Sequence, residues 1–327
     1  MNKIQIYGLA AVTLFGGTMV SCDTDAETMD IQKPLTYDEQ YYQNLRDFKM
    51  TPHEVSFAYY EAWAPAEGAD GYKDPASMGE RIIGLPDSID IVNLWMGVPT
   101  PETHPIAYKD MKETQRLKGT RFVMHADACH FNHTIMYNGK EVVMRDLYDT
   151  ENNTIADDVI KAYGDWIVAS CEEVGLDGVD IDFEPEGRYM GWTAENLSTL
   201  VKYLSSFYGP KSGKPRSLLI VDTFRDVFPD DIEEYVDYYV MQDYSDQTGG
   251  LRPSRYNQAK TIHCETFGNL WQTGGKILEY ARWEPADGGK KAGVGAFYLG
   301  RNYNSTSGIP YNEFRQAIQI MNPAVKK

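Results

Sequence analysis

Short apolar runs alternate with longer amphipathic stretches from about residue 51 to residue 321 of the chain. Eight of the runs have the length and the β-branched and aromatic content of buried strands. They are Val55–Tyr60, Ile89–Trp95, Arg121–His125, Gly178–Phe183, Ser217–Asp222, Tyr238–Asp243, Thr261–Phe267 and Gly293–Leu299. Apolar residues at helical spacing predict helices near Ile106–Leu117, Ile155–Val174, Ala194–Phe207, Asp230–Val236, Gly275–Trp283 and Tyr311–Met321.

The order of these elements predicts an α/β fold. Eight strands separated by crossovers in a single region favour a (β/α)₈ TIM barrel over a doubly wound sheet. We find no repeat and no Pro/Gly/Ser-rich linker in this region, so we expect one catalytic domain over residues 51–327. Residues 127–153 lack clear periodicity and are predicted to form a loop over the C-terminal end of the third strand. That end of a barrel is the face on which enzymes carry their active sites.

The first 22 residues have the pattern of an export signal. Lys3 precedes a charge-free apolar run that is short for a membrane span and ends in small residues before Cys22. The segment resembles a bacterial lipoprotein signal, which implies that residues 1–21 are removed and that Cys22 carries lipid. A plain signal peptide with an incidental cysteine is the alternative.

Acidic residues follow Cys22 directly, and this arrangement resembles the surface-export signal of Bacteroides-type lipoproteins. The resemblance implies a protein that is anchored by lipid to the outer membrane and faces outward from the cell surface. Residues 22–50 are polar, acidic and weakly patterned, and we predict that they form a tether. The lipid anchor would be the only contact with a membrane.

Composition narrows the classes of partner. The 327 residues include 31 Lys and Arg against 48 Asp and Glu, which gives a formal net charge of −17. Nucleic acid is therefore not expected as a partner, because binding to its backbone needs clustered positive charge.

The remaining cysteines, Cys129, Cys171 and Cys264, are predicted to be free, and no Cys/His cluster has the spacing of a metal site. We expect a monomer.

The segment from Asp177 to Glu184, with the sequence DGVDIDFE, carries the strongest chemical signal. Strand alternation places its apolar residues on one face and Asp180, Asp182 and Glu184 on the other. In a barrel the acidic face points into the lumen, and Glu184 lies nearest the mouth. Stacked carboxylates in such a place are costly unless they share protons or ligands, so we predict a functional role for them.

The spacing Asp177-x-x-Asp180-x-Asp182-x-Glu184 resembles the signature of glycoside hydrolase family 18. That family contains chitinases and endo-β-N-acetylglucosaminidases on TIM barrels. The resemblance implies a retaining reaction in which the 2-acetamido group of the substrate is the nucleophile. By this resemblance, Glu184 is the general acid and base. Asp182 orients the acetamido group, and Asp180 controls whether Asp182 carries a proton. Asp177 falls outside the lumen-facing register, so we predict a structural role for it.

The predicted sixth strand adds two further candidates. Gln242 and Tyr244 share one of its faces, and in the family this strand carries groups that hydrogen-bond the acetamido oxygen. The run Met241-Gln242-Asp243-Tyr244 departs from the chitinase pattern M-x-Y-D. Its Gln-x-Tyr arrangement looks more like that of endo-β-N-acetylglucosaminidases, so we predict that Gln242 and Tyr244 bind substrate.

Other strand ends supply residues for the same face of the barrel. Tyr59, on the first strand, and Tyr298, near the end of the eighth, are predicted to bind substrate as well. His125 and Asp222 end the third and fifth strands and should lie at the catalytic face.

The resemblance implies an endo-β-N-acetylglucosaminidase that hydrolyses the GlcNAc-β1,4-GlcNAc core of N-glycans and needs neither cofactor nor metal. Many chitinases insert a small domain after the seventh strand, whereas Phe267–Gly293 leaves space for one helix and loops. Two alternatives stay open. One is a chitinase or chitooligosaccharide hydrolase. The other is a non-catalytic glycan-binding lipoprotein on the same fold, although such proteins usually lose the acid that Glu184 represents.

Overall fold

The structure is a computed structural model that describes residues 33–185, 191–252 and 254–324. The predicted signal peptide, residues 1–21, and the predicted lipidation site, Cys22, lie outside the described residues. Within the described ranges, no helix is long and apolar enough to cross a bilayer.

Eight parallel strands close into a barrel, as predicted. In chain order the strands are β1 (Val55–Tyr59), β2 (Ile91–Leu94), β3 (Arg121–Asp127), β4 (Thr134–Tyr137), β5 (Lys140–Val143), β6 (Gly178–Asp182), β7 (Leu218–Thr223), β8 (Tyr238–Gln242), β9 (Thr261–Thr266) and β10 (Gly293–Phe297). Strands β4 and β5 form a separate antiparallel pair, and the other eight follow one another around the barrel until β10 pairs with β1. The predicted (β/α)₈ barrel is therefore confirmed.

Helices surround the barrel between the strands. They are α1 (Glu39–Lys49), α2 (Pro105–Lys118), α3 (Asp157–Val174), α4 (Ala194–Leu204), α5 (Ser245–Thr248), α6 (Ile277–Arg282) and α7 (Asn312–Met321). The helix predicted over Asp230–Val236 is corrected to a single 3₁₀ turn, Asp230–Ile232. Acidic residues recur there three and four positions apart, and like charges at that spacing destabilise an α-helix.

The barrel has two apolar layers. Side chains such as Phe57, Ile220 and Val240 fill the lower lumen. Side chains of the alternate positions, such as Val179 and Ile181, pack outward against the helices. The alternation of each strand therefore builds an inner and an outer core, and polar side chains are left at the mouth of the lumen.

The segment before the barrel is partly helical. Tyr42 of α1 is buried, and the Arg46 guanidinium donates to the Leu117 carbonyl oxygen at the end of α2, at 3.0 Å. Residues 39–49 of the predicted tether, which spans 22–50, form a docked helix, and the domain boundary stays a prediction. The sequence pattern was weak because Tyr42 is the one residue of α1 that is buried.

The stretch 127–153 contains a hairpin, which corrects the expectation of an unpatterned loop. Strands β4 and β5 are joined by Asn138 and Gly139, both with positive φ. An Asn-Gly pair favours this tight turn between antiparallel strands, so a local signal for it was present. Ile135 of β4 is buried in the outer core beside α3.

The cysteines agree with the prediction from their number. Cys171 and Cys264 are buried, Cys129 is half-buried, and all three are free thiols.

Candidate active site

Strand β6 begins at a glycine because β7 passes too close for a side chain. A Cβ on Gly178 would lie 2.0 Å from the carbonyl oxygen of Leu218. The close approach fixes the register of β6, so that Val179 packs outward while Asp180 and Asp182 point into the lumen. The alternation predicted from the sequence is the arrangement in the structure.

The acidic residues of β6 lie in layers from the interior to the mouth. Asp180 has no exposed surface and accepts a hydrogen bond from Asn93 Nδ2 at 2.8 Å. Asp182 and Glu184 line a cavity that opens at the C-terminal end of the barrel. An oxygen of the Asp182 carboxyl lies within 4.8 Å of one of Glu184.

The cavity has a volume of about 350 Å³. One part of its lining is aromatic and the other is polar, which suits a sugar ring with an apolar face and a hydroxylated rim. The lining residues are Tyr59, Trp95, His125, Asp182, Glu184, Asp222, Phe224, Gln242, Tyr244, Gln247 and Phe297.

Strand β8 contributes both residues that the sequence singled out. Gln242 Nε2 donates to Asp222 Oδ1 at 2.7 Å and lies 3.4 Å from Asp182 Oδ1. Tyr244, just after the strand, stacks its ring on Phe297. The intervening Asp243 faces away from the cavity, so this sequence presents Gln and Tyr to it.

Asp222 is a third carboxylate beside the pair on β6. Its Cα is the register partner of Asp182 on the neighbouring strand, and its side chain is fully buried. The sequence placed Asp222 at the catalytic face but gave no reason to group it with Asp180 and Asp182. A signal was available, because parallel neighbouring strands bring residues at equivalent positions together.

Burial raises the pKa values of all three aspartates. For Asp180 and Asp182 the rise is large, and the next cause in each case is the negative charge of Asp222. For Asp222 the pKa rises to about 6, because hydrogen bonds from neighbours, with Gln242 first, offset part of the burial. The aspartates therefore titrate together, and Asp222 ionises most readily of the three.

His125 is neutral near neutral pH. Burial lowers its pKa to about 4, even though the negative charge of Asp127 acts in the opposite direction. Its Nε2 atom lies 3.7 Å from Asp182 Oδ2, too far for a strong hydrogen bond. His125 therefore contributes a polar wall to the cavity and no positive charge.

The two predicted tyrosines outside β8 have different positions. Tyr59 lines the cavity, with its ring 5.7 Å from that of Phe297. Tyr298 is not part of the lining. Its hydroxyl donates to Glu67 at 3.1 Å, and the guanidinium of Arg301 lies 4.3 Å from the centre of its ring. The structure thus brings Tyr59 to the site and places Tyr298 behind its wall.

Asp177 has the position expected of a structural residue. Its carboxylate accepts hydrogen bonds from the backbone N–H of Phe122, at 2.8 Å, and from Gln115 Nε2, at 2.9 Å. These contacts tie the start of β6 to β3 and α2.

A family model described as glycoside hydrolase family 18, BT1044-like, matches residues 21–266, well over half of the chain. The chain belongs to glycoside hydrolase family 18. It is therefore a glycoside hydrolase, and the resemblance found in the DxxDxDxE spacing is confirmed.

Curated relatives point to one branch of family 18. The chain is 27% identical to endo-β-N-acetylglucosaminidase F2 of Elizabethkingia meningoseptica, over 86% of this chain and 85% of the relative. It is 24% identical to endo-β-N-acetylglucosaminidase EndoSd of Streptococcus dysgalactiae. That match covers 98% of this chain but 42% of the longer relative.

Solved structures share the fold of this family 18 hydrolase. The structure of BT1044 superposes with a TM-score of 0.66 at 21% identity, over 87% of this chain and 93% of the other. An endo-β-N-acetylglucosaminidase from Cordyceps militaris, solved in complex with fucosyl-N-acetylglucosamine-Asn, gives a TM-score of 0.63 at 19% identity. That superposition covers 89% of this chain and 98% of the other.

Three aromatic residues of the family 18 site were missed from the sequence, namely Trp95, Phe224 and Phe297, and all three line the cavity. Trp95 follows β2 and packs edge-on against Phe297, with ring centres 4.9 Å apart. Each lies at or near the end of a predicted strand, so the barrel topology could have placed them at the catalytic face, but aromatic residues at strand ends are equally common in cores.

One set of potential metal ligands overlaps the acidic pair. The Cys129 thiol and the carboxylates of Asp182 and Glu184 have ligand atoms within 4.8 Å of one another. Burial, followed by the negative charges of Asp182 and Asp127, raises the pKa of the Cys129 thiol far above its usual value. A thiolate ligand is therefore disfavoured, and that no metal takes part stays a prediction.

Proposed function

We propose that this family 18 hydrolase is an endo-β-N-acetylglucosaminidase that cleaves the GlcNAc-β1,4-GlcNAc core of N-glycans. The proposal is supported by the names of the two curated relatives, since both are endo-β-N-acetylglucosaminidases. It is also supported by Gln242 and Tyr244, which line the cavity where a chitinase of the family would present a different pair.

The observation that carries the proposed mechanism is the separation of Asp182 and Glu184. Their nearest carboxyl oxygens are within 4.8 Å, whereas an inverting glycosidase keeps its carboxyl groups roughly 6.5–9.5 Å apart to hold a water between them. The short separation favours retention of configuration. Asp182 is largely buried beside Gln242 and suits a role as acceptor and stabilising charge rather than as an exposed nucleophile.

In the first step Glu184 protonates the glycosidic oxygen while the acetamido oxygen of the substrate attacks C1. The bond between C1 and the leaving oxygen breaks, and an oxazolinium ring forms. Asp182 accepts the acetamido N–H and stabilises the positive charge of the ring. In the second step Glu184 takes a proton from water, the water oxygen bonds to C1, and the ring reopens.

Chitin is the alternative substrate class within the family. Between β9 and β10 the structure has the six-residue helix α6 and loops. The cavity is therefore not enclosed from that side by an inserted domain, which suits a branched glycan attached to a protein. A non-catalytic glycan-binding role is less favoured, because Asp182 and Glu184 both line the cavity.

The test is to incubate the purified protein with a panel of glycoproteins and, separately, with chitooligosaccharides, and to identify the products by mass spectrometry. Release of glycans that end in a single GlcNAc, with one GlcNAc left on the protein, is the expected result. Shortening of chitooligosaccharides without glycan release would instead assign the chitinase activity. If neither substrate is cleaved, the result would favour the non-catalytic glycan-binding role.

We also propose that the mature chain is lipidated at Cys22 and displayed on the outer membrane, facing outward. Support comes from the resemblance of the first 22 residues to a lipoprotein signal and from the acidic residues after Cys22. Metabolic labelling with a palmitate analogue should mark the wild type and not Cys22→Ala. Protease treatment of intact cells should then remove the protein if it faces outward.

A further inference from the structure

The three buried aspartates have more acceptor atoms than the surrounding side chains supply with donors. Asn93 donates to one oxygen of Asp180, and Gln242 donates to one oxygen of Asp222. Asp180 Oδ1 and Asp222 Oδ2 are buried and have no hydrogen-bond partner among the described residues. A buried carboxylate oxygen without a donor costs free energy, so the pattern needs an explanation.

The groups that face Asp222 do not supply a positive charge. Tyr59 reaches it from β1, Asp180 and Asp182 from β6, and Gln242 from β8, and the negative charge of Glu184, just after β6, acts on it as well. Tyr244 and Cys264 also approach the cluster, and both are neutral because burial raises their pKa values. His125 is neutral as well, and no Lys or Arg is among the described residues that line the cavity.

A shared proton can hold two such carboxyl oxygens together. One carboxylic proton between two buried carboxyl groups satisfies an oxygen of each, and it removes one of the adjacent negative charges. The amide of Gln242 favours ionisation of one aspartate over the other. Its amide N–H lies closer to Asp222, at 2.7 Å, than to Asp182, at 3.4 Å, and so stabilises the anion of Asp222.

We propose that Asp222 is a positioning residue that accepts the proton of Asp182 while the positive charge of the oxazolinium develops. This inference rests on the proposed function. The O–H bond of Asp182 breaks and an O–H bond forms on Asp222, so the proton stays inside the barrel. Asp182 becomes an anion only when the substrate supplies the balancing charge, and the proton returns when the ring reopens.

The arrangement explains why a buried carboxylate is kept at Asp222. Asp182 has to be ionised to stabilise a cation, but an ionised Asp182 in an empty, buried site is costly. An internal acceptor on the neighbouring strand removes the need for the proton to reach solvent. Asp180 shares the same cluster and can hold the second proton.

The test compares the pH dependence of kcat for the wild type and Asp222→Asn. The Asn side chain keeps the acceptor for Gln242 but cannot take a proton and carries no charge. Removal of an adjacent anion lowers the pKa of Asp182, so the acid limb of kcat should move to lower pH by about one unit or more. The plateau of kcat should fall by about tenfold with little change in KM, because the Asn side chain cannot accept the proton that Asp182 releases.

Asp222→Glu should restore the acid limb of the wild type. Asp237→Asn is the matched control, since Asp237 is a half-buried carboxylate with a raised pKa that accepts from the Leu219 backbone at the opposite end of β7. It should leave the profile unchanged. An acid limb that does not move in Asp222→Asn would overturn the proposal.

A second measurement needs neither substrate nor a folded variant. Infrared spectra of the wild type with ¹³C-labelled aspartate should contain the carbonyl band of protonated, buried carboxyl groups at pH 7. Complete ionisation of every aspartate at that pH would also overturn the proposal. Because this measurement is independent of glycan cleavage, it can fail or succeed separately from the proposed function.

Discussion

Tyr244 and Phe297 stack nearly parallel across the cavity, with ring centres 5.5 Å apart and an angle of 11° between the planes. Tyr244 follows β8 and Phe297 ends β10, and these two strands are not neighbours in the barrel. Their contact spans the intervening strand β9 and joins the polar side of the site to its aromatic wall.

Phe297→Leu should therefore affect binding more than the chemical step. We expect KM to rise by about tenfold with a smaller change in kcat, since the loss of even a small apolar contact in a binding pocket costs roughly 1–3 kcal/mol. Steady-state kinetics on a glycopeptide would measure this. Phe207→Leu, at a surface aromatic pair with Tyr203, is the matched control and should leave KM unchanged. A pure loss of kcat in Phe297→Leu would contradict the assignment.

Glu184→Gln should lose roughly 10²–10⁴-fold in kcat while KM stays close to that of the wild type, because the amide cannot donate the proton. Glu195→Gln, an exposed glutamate in the first turn of α4, controls for the change of charge. Release of glycan from a glycoprotein is the readout. Full activity in Glu184→Gln would remove this residue as the acid.

Asp182→Asn should impair hydrolysis in a different way. The variant orients the acetamido group poorly and stabilises the oxazolinium less, but it retains the proton donor of Glu184. We therefore expect it to transfer sugar from a preformed oxazoline to an acceptor while it no longer hydrolyses the product. Mass spectrometry of the transfer product would measure this. Equal transfer by Asp182→Asn and Glu184→Gln would argue against the division of roles.

Asp222→Asn should stabilise the protein at neutral pH. The folded-state pKa of Asp222 is raised to about 6, so the folded protein holds a proton that the unfolded chain has released, and stability falls as the pH rises from about 4 to 6. The Asn side chain does not ionise, so the variant does not lose this stability as the pH rises. We expect the free energy of unfolding to increase by about 2 kcal/mol at pH 7 and by much less at pH 4.

Urea unfolding at the two pH values would measure this gain, and Asp90→Asn provides a control of opposite sign. Burial alone would raise the pKa of Asp90, but a hydrogen bond from His53 and the charge of Lys49 hold it below its usual value. Its substitution should destabilise the protein at pH 7, and the deficit should shrink as the pH falls below about 4. A destabilised Asp222→Asn at pH 7 would contradict the electrostatic account.

Tyr42→Ala tests whether α1 is part of the folded domain. Tyr42 is buried, and loss of a large buried side chain typically costs about 2–4 kcal/mol. Gln40→Ala, on the exposed side of the same helix, should change the free energy of unfolding by less than about 0.5 kcal/mol. Equal, small effects in both variants would mean that α1 does not stabilise the domain and that the segment is a tether, as the sequence suggested.

The barrel was predictable because each strand carries its own signal. Segments such as Gly178–Phe183 have apolar residues at alternate positions and turn-forming residues at their ends. This alternation predicts which side chains point outward from the barrel. Helix α1 was not predictable in the same way. Its stability comes from contacts such as Arg46 with the end of α2, which depend on the tertiary structure.

The acidic pair Asp182 and Glu184 was predictable for a similar reason, since the residues that position them are adjacent in sequence. Asp182 and Asp222 lie on different strands. Their proximity depends on the register between the two strands, which the sequence alone does not specify. Tyr298 shows the reverse case. Its place near the end of a predicted strand suggested the mouth of the barrel, but its backbone is left-handed and its hydroxyl donates to Glu67.

The pairing of β1 with β10 has a consequence for biosynthesis. Val55 emerges from the ribosome long before its partner Gly293, because the two strands lie far apart in the chain. Contacts between such distant positions form slowly, and nascent barrels expose unpaired strand edges until the final strand arrives. A chain interrupted before β10 would lack Phe297 and one wall of the cavity. Catalytic competence should therefore appear in a single step late in folding, after β10 has paired with β1.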